Sequence, residues 1–170
     1  MAQRTEIFDV GKLGLSSGEG RRLELKVPVA GFEFGGQRYD VVGGSVEAVL
    51  DFSHTVRGYA FRLRFETALA GPCVRCLEEA GHALEVDARE IDQPGGGEDL
   101  SSPYLDEAEL DVQAWARDAL ALALPTQIVC REDCAGLCAV CGENLNRSPE
   151  HAHEREPDPR WAALRELKLD

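Results

Sequence analysis

YAFRLRFETALAGPCVRC, residues 59–76, alternates apolar and polar side chains and then stops at a pair of thiols. Tyr59, Phe61, Leu63 and Phe65 share one parity and Arg62, Arg64 and Glu66 the other, the two-residue period of a half-buried strand. Gly71-Pro72 before the cysteines and Gly81 after them punctuate a turn. The stretch reads as a strand running into a hairpin tip that carries Cys73 and Cys76.

The same alternation recurs on both sides of it. Leu23, Leu25, Val27 and Val29 alternate with Glu24, Lys26 and Pro28, and Pro28 suits an edge or a strand end. Val46, Ala48, Leu50 and Phe52 alternate with Glu47, Val49 and Asp51, and Leu84, Val86 and Ala88 with Glu85, Asp87 and Arg89. Gly35-Gly36 and Gly43-Gly44 supply turns, so the pattern points to antiparallel sheet rather than βαβ units, with residues 5–10 as a candidate fifth strand.

Residues 111–124 carry Val112, Trp115, Ala116, Ala119, Leu120 and Ala123 at the three- and four-residue steps of one helical face. Asp111 is placed to cap this helix and Pro125 to close it. The expected fold is α+β: an antiparallel, twisted or barrel-like sheet of four to six strands, one main helix packed on it, and a cysteine-rich, zinc-ribbon-like C-terminal segment. We read one domain over 1–170, with the sheet at 21–91, a flexible loop at 94–103, the helix at 111–124, a zinc-binding segment at 130–146 and a last helix at 158–168 opened by Asp158-Pro159.

All six cysteines lie in two places, Cys73-x2-Cys76 and residues 130–146, CREDCAGLCAVCGENLN, which holds Cys130, Cys134, Cys138 and Cys141. Paired thiols at such spacings can aim both sulfurs at one ion about 2.3 Å away, and a glycine after the second cysteine, here Gly142, lets the backbone fold beneath them. Six thiols exceed the four positions of one zinc. Cys73/Cys76 can share an ion with Cys138/Cys141 or with Cys130/Cys134, and a bridged two-zinc cluster is a third arrangement, so one zinc or two is open. His151 and His153 sit in a polar stretch and read as solvated residues ahead of ligands, with a second site at Cys138 and Cys141 as the alternative.

No apolar run approaches the roughly 20 residues of a membrane span, and the first residues lack the apolar core of a secretory signal. A cytoplasmic location is expected, where thiols stay reduced and clustered cysteines serve metals or catalysis instead of disulfides. The net charge of −13 falls to about −15 with a four-thiolate zinc site, which excludes coating nucleic acid by bulk charge and suits a basic protein partner. Fifteen of the 18 basic residues are Arg, which leaves room for local phosphate contacts, as at Arg62, Arg64 and Arg75. The plainer reading of these arginines is a solvated sheet face balanced by Glu66, Glu78 and Glu79. The acidic residues of 98–111 read as a loop able to receive a basic protein. Trp115 and Trp161 read as core, and His54 and His82 as ordinary residues without a ligand pattern. No phosphate-cradling loop, Ser/His/Asp set or carboxylate pair is present.

The order CVRCLE at 73–78, LALALP at 120–125, Cys130-x3-Cys134-Ala-Gly-Leu-Cys138-x2-Cys141-Gly-x-Asn144-Leu-Asn146 and Asp158-Pro-Arg160-Trp-Ala-x-Leu164 resembles the YceD family of large ribosomal RNA subunit accumulation proteins over nearly the whole chain. The resemblance implies a role in large-subunit ribosomal RNA synthesis, processing or stability. It implies as partner the ribosomal RNA, a basic large-subunit ribosomal protein or an assembly factor, and it supplies no catalytic mechanism. It also implies Cys73/Cys76 with Cys130/Cys134 as the primary metal set, because CxRC is the family's steadiest element and some members lack the second pair. The expected function is a non-enzymatic zinc-binding factor of ribosome biogenesis. The alternatives are a thiol redox protein using the CVRC pair and a zinc-ribbon interaction adaptor.

Overall fold

A computed structural model describes residues 3, 4, 6–97 and 100–153; the helix expected at 158–168, with Trp161, lies outside the described residues. Where apolar and polar residues alternate, strands form. They are β1 (Gln3–Arg4), β2 (Ile7–Asp9), β3 (Gly20–Pro28), β4 (Phe32–Phe34), β5 (Gln37–Val41), β6 (Ser45–His54), β7 (Tyr59–Pro72), β8 (Glu79–Asp92), β9 (Leu105–Asp106) and β10 (Glu109–Asp111), followed by the helix α1 (Val112–Leu122). β7 is the spine of the main sheet. Along one edge it pairs β8 from Tyr59 opposite Asp92 to Pro72 opposite Glu79. Its other partners are β6, from Tyr59 to Arg64, and β5, at Leu69 and Ala70. β3 continues beyond β6, β1 beyond β3 and β4 beyond β5, for seven strands, all antiparallel except the β1–β3 pair.

Two features depart from the expected sheet. The hairpin β4–β5 adds strands too short to show periodicity; it turns at Gly35 and Gly36, both at positive φ, the geometry that suits two-residue hairpin turns. Residues Ile7–Asp9 do not extend the main sheet. They pair β10, which pairs β9, so part of the acidic stretch read as a loop is a second, three-stranded sheet.

The parity that is apolar in sequence is the parity that is buried. Leu25 and Val27 of β3, Val46, Ala48, Leu50 and Phe52 of β6, Phe61, Leu63, Phe65 and Leu69 of β7, and Leu84 and Val86 of β8 form one core with Val112, Trp115, Ala116, Ala119 and Leu120 of α1. Trp115 meets Phe61 edge to face with ring centres 5.2 Å apart, so it is a core residue. The carboxylate of Asp111 accepts a hydrogen bond from the Ala114 amide at 2.8 Å and caps the helix.

The opposite face of the sheet is polar and internally neutralised. Arg62 donates to Asp87 at 2.6 Å, and Arg22 and Arg64 both donate to Asp51 at 2.6 Å. The arginines are thus balanced, as the plainer reading held, but by Asp51 and Asp87 and not by the glutamates expected to do it.

Candidate metal centre

The hairpin β7–β8 carries its tip, residues 73–78, at the far end of the longest strand pair. Within that tip the Cys73 amide donates to the Glu78 carbonyl at 2.7 Å, the Leu77 amide to the Cys73 carbonyl at 3.0 Å, and the Arg75 amide to the Cys73 sulfur at 3.4 Å. The same three bonds recur at the second C-x2-C. The Cys138 amide donates to Glu143 at 2.8 Å, the Gly142 amide to Cys138 at 2.8 Å, and the Val140 amide to the Cys138 sulfur at 3.5 Å. The two turns are one structure built twice. Each aims amide hydrogens at its first sulfur, an arrangement that favours thiolate over thiol.

The fold does not bring these two turns to a common point. Cys73 and Cys76 instead gather with Cys130 and Cys134, and Cys138 and Cys141 with His151 and His153; in each set the four ligand atoms lie within 4.8 Å of one another. An ordinary zinc ribbon, with both C-x2-C turns on one ion, is therefore not what the chain forms, and neither is a six-sulfur bridged cluster. The two histidines, expected to be solvated, stand beside the second pair of thiols.

In the first set the Cys73 and Cys134 sulfurs are 3.8 Å apart and those of Cys76 and Cys130 3.6 Å. Four thiolates placed tetrahedrally at 2.3 Å around an ion would be about 3.8 Å apart, whereas a disulfide needs about 2.05 Å. The spacing fits a metal. Cys73, Cys76 and Cys134 are buried, Cys73 completely.

Segment 126–134 is brought to the hairpin tip by named contacts. Pro125 follows the helix, and the Val74 amide donates to the Ile128 carbonyl at 3.0 Å. The Arg75 guanidinium reaches across to the Cys134 carbonyl at 3.2 Å and to Gln127 Oε1 at 3.3 Å. Its work is to hold two loops together, so it is not set aside for phosphate. Gly136 turns at φ 76 with the Arg75 backbone directly beneath it, where a β-carbon would crowd the Arg75 carbonyl.

Asn144 and Asn146 hold the ligand loop, a role that the spacing of cysteines does not reveal. Asn146 donates from Nδ2 to the Cys134 sulfur at 3.4 Å, while its Oδ1 accepts from Arg131 and from the Ala135 amide, both at 2.8 Å. The Asn144 side chain accepts from the Asn146 amide at 3.0 Å and donates to Glu78 at 3.2 Å. Together they orient the ligand loop, as outer partners of a metal site do. The Asn-x-Asn pattern directly after the second turn is the sequence signal for this role.

Charge within the first set is unevenly held. Burial opposes ionisation of Cys73, yet the backbone amides aimed at its sulfur win and hold the thiol down to about 6. Cys130 is pushed up to about 12 by desolvation and by the neighbouring Cys76 and Cys134 thiols. In the second set the amides of Cys141 and Val140 likewise hold Cys138 down to about 6. The four thiolates of the first set repel one another, and a divalent cation at their centre removes the conflict.

Beside the tip lies a recess of about 170 Å³ lined by Phe34, Tyr39, Val74, Leu124, Pro125 and Ile128, with Thr126 and Gln127 at its edge. The Tyr39 hydroxyl is occupied as a donor to the Pro72 carbonyl at 2.9 Å. Among the described residues no carboxylate, imidazole or thiol lines it. Among the described residues no helix is long and apolar enough to cross a membrane.

The profile of a family described as large ribosomal RNA subunit accumulation protein YceD matches residues 61–168, from the start of the β7–β8 hairpin through both ligand sets. Uncharacterised proteins of Mycobacterium tuberculosis and Mycobacterium bovis are 38% identical over 104 residues, 57% of this chain and 49% of theirs. One of Mycobacterium leprae is 33% identical over 102 residues, 56% of this chain and 46% of its own. The chain thus spans about half the length of the curated relatives it matches. No solved structure matches it.

Proposed function

We propose, for a chain that belongs to the YceD family of large ribosomal RNA subunit accumulation proteins, that it acts without catalysis as a zinc-tied factor sustaining the level of large-subunit ribosomal RNA in the cytoplasm. The observation that carries the proposal is the four-sulfur set at the end of the β7–β8 hairpin, which lies within the family match and has the spacing of a closed tetrahedral site. A closed site of four thiolates leaves no open position for a metal-bound water, so zinc here is structural. The recess beside it suits contact with a partner, because its described lining is mainly apolar and its Tyr39 hydroxyl is tied to the Pro72 carbonyl.

A thiol redox role for the CVRC pair fits the geometry less well. Cys73 is completely buried, its sulfur stands 3.8 Å from that of Cys134 within a four-thiol set, and the pair occupies a hairpin tip rather than a helix N-terminus. The partner we favour is a basic large-subunit ribosomal protein or assembly factor over bare RNA. The net charge of −13 repels phosphate, and Arg22, Arg62 and Arg64 are already committed to aspartates.

Depletion of the protein should lower precursor or mature large-subunit RNA relative to small-subunit RNA. Wild-type protein should restore it, and a Cys73→Ser/Cys134→Ser variant should not. Unchanged RNA and subunit profiles on depletion would remove the proposal. Restoration by the double-serine variant would separate the function from the metal.

A further inference from the structure

The second ligand set lies apart from the first and is built differently. The chain after Leu145 is wound back by turns: the Arg147 and Ser148 amides donate to the Asn144 carbonyl at 3.0 and 3.1 Å, and the His151 amide to the Ser148 carbonyl at 3.0 Å. The Ser148 hydroxyl donates to Glu143 at 2.9 Å. These turns carry both imidazoles to Cys141. His151 Nε2 is 3.1 Å from its sulfur, His153 Nε2 is 3.2 Å from it, and the two Nε2 atoms are 3.0 Å from each other.

That triangle cannot be satisfied by protons. A ring nitrogen either donates or accepts, never both at once, and a thiol has one hydrogen. With one imidazole donating, the other accepting and the thiol donating, two hydrogens face three short contacts. A cation takes all three lone pairs together, and the Cys138 thiolate, already bonded to the Val140 amide, completes four ligands. Around such an ion the two imidazole nitrogens would stand about 3.3 Å apart and each nitrogen about 3.6 Å from a sulfur, a few tenths of an ångström wider than the observed contacts.

We propose that Cys138, Cys141, His151 and His153 form a second, independent metal site for a tetrahedral divalent ion of the zinc class. The site closes residues 138–153 into a finger of their own. It goes beyond the ribosomal reading and does not depend on it. Two thiolates and two neutral imidazoles suit zinc, whose geometry accepts mixed sulfur and nitrogen ligands. The finger is hooked to the first turn through Glu78, which accepts from Arg147 at 2.6 Å and from Asn144 at 3.2 Å. Cys141 and His153 are exposed whereas three of the first four ligands are buried, so the second ion exchanges first.

Native mass spectrometry of the full chain equilibrated with zinc tests this. The expected result is two zinc ions per chain. The His151→Ala/His153→Ala variant should hold one, with an unchanged far-ultraviolet dichroism spectrum, and Cys138→Ser/Cys141→Ser should also hold one. Brief exposure of the wild type to a chelator should remove one ion before the other. A full chain that saturates at one zinc, or a double-histidine variant that retains two, overturns the proposal. Two ions in a protein whose depletion leaves ribosomal RNA unchanged would defeat the ribosomal reading and leave this one standing.

Discussion

Leu77 holds a φ of 60° in the first C-x2-C turn, at the position that Gly142 fills with a φ of 77° in the second. A side chain in that region costs about 1 kcal/mol, and the turn accepts the cost in one copy and avoids it in the other. Leu77→Gly should therefore leave the unfolding free energy within about 0.5 kcal/mol of wild type, read from denaturant unfolding, since relief of strain offsets the greater freedom of the unfolded chain. Gly142→Val should weaken its own turn by about 1–2 kcal/mol. Amide exchange at Cys138, whose N–H bonds the Glu143 carbonyl, should quicken by about tenfold or more. Exchange unchanged in Gly142→Val would show that the left-handed position does not control the turn.

Asp51 carries a pH dependence that belongs to the same scale. The hydrogen bond from Arg22, joined by one from Arg64, holds its carboxyl below the ordinary carboxylate range against the opposing effect of desolvation. A folded value below the unfolded one means that the pairing stabilises fully above the unfolded value and is lost as pH falls through the folded one. The denaturation midpoint should thus fall below about pH 4, and Asp51→Asn should flatten part of that fall. Because the three side chains are partly exposed, the effect is small and shrinks in high salt.

At the scale of elements, α1 is the cover of the sheet and Trp115 its anchor, 2% exposed against Phe61. Trp115→Ala should cost about 3–5 kcal/mol, read from denaturant unfolding. A loss under 1 kcal/mol would mean that the helix is not what closes the core. Long strands and this helix were legible because each has one apolar face repeated often enough to show its period. The β4–β5 hairpin was not, since three and five residues give one or two repeats, and its burial of Tyr39 and Val41 is decided by contact with β7. Ile7–Asp9 and Glu109–Asp111 pair across a hundred residues, a partnership that no local pattern announces. In the same way cysteine spacing announced metal chemistry but not which pairs meet. Two equal C-x2-C turns invite pairing with each other. The anchoring of segment 126–134 by Val74 and Arg75 sends Cys130 and Cys134 to the first turn instead. The histidines were hidden by their polar setting, and only the turns through Asn144 and Ser148 bring them back to Cys141.

At the scale of the molecule, the first ligand set joins the middle of the chain to residues more than fifty positions later, so a metal there is part of the fold and not an ornament on it. It stiffens the end of the β7–β8 hairpin, where the apolar recess and the exposed Val74 and Leu77 face outward. In the proposed function, that end is what a basic partner meets, with the acidic body behind it steering the encounter. A metal-tied hairpin stands or falls on the four sulfurs. X-ray absorption at the zinc edge of the His151→Ala/His153→Ala variant, which isolates the first set, tests them most directly. The predicted result is one zinc per chain with a single shell of four sulfurs at about 2.3 Å. A shell containing nitrogen or oxygen ligands near 2.0 Å, or a folded protein that holds no zinc, would contradict it.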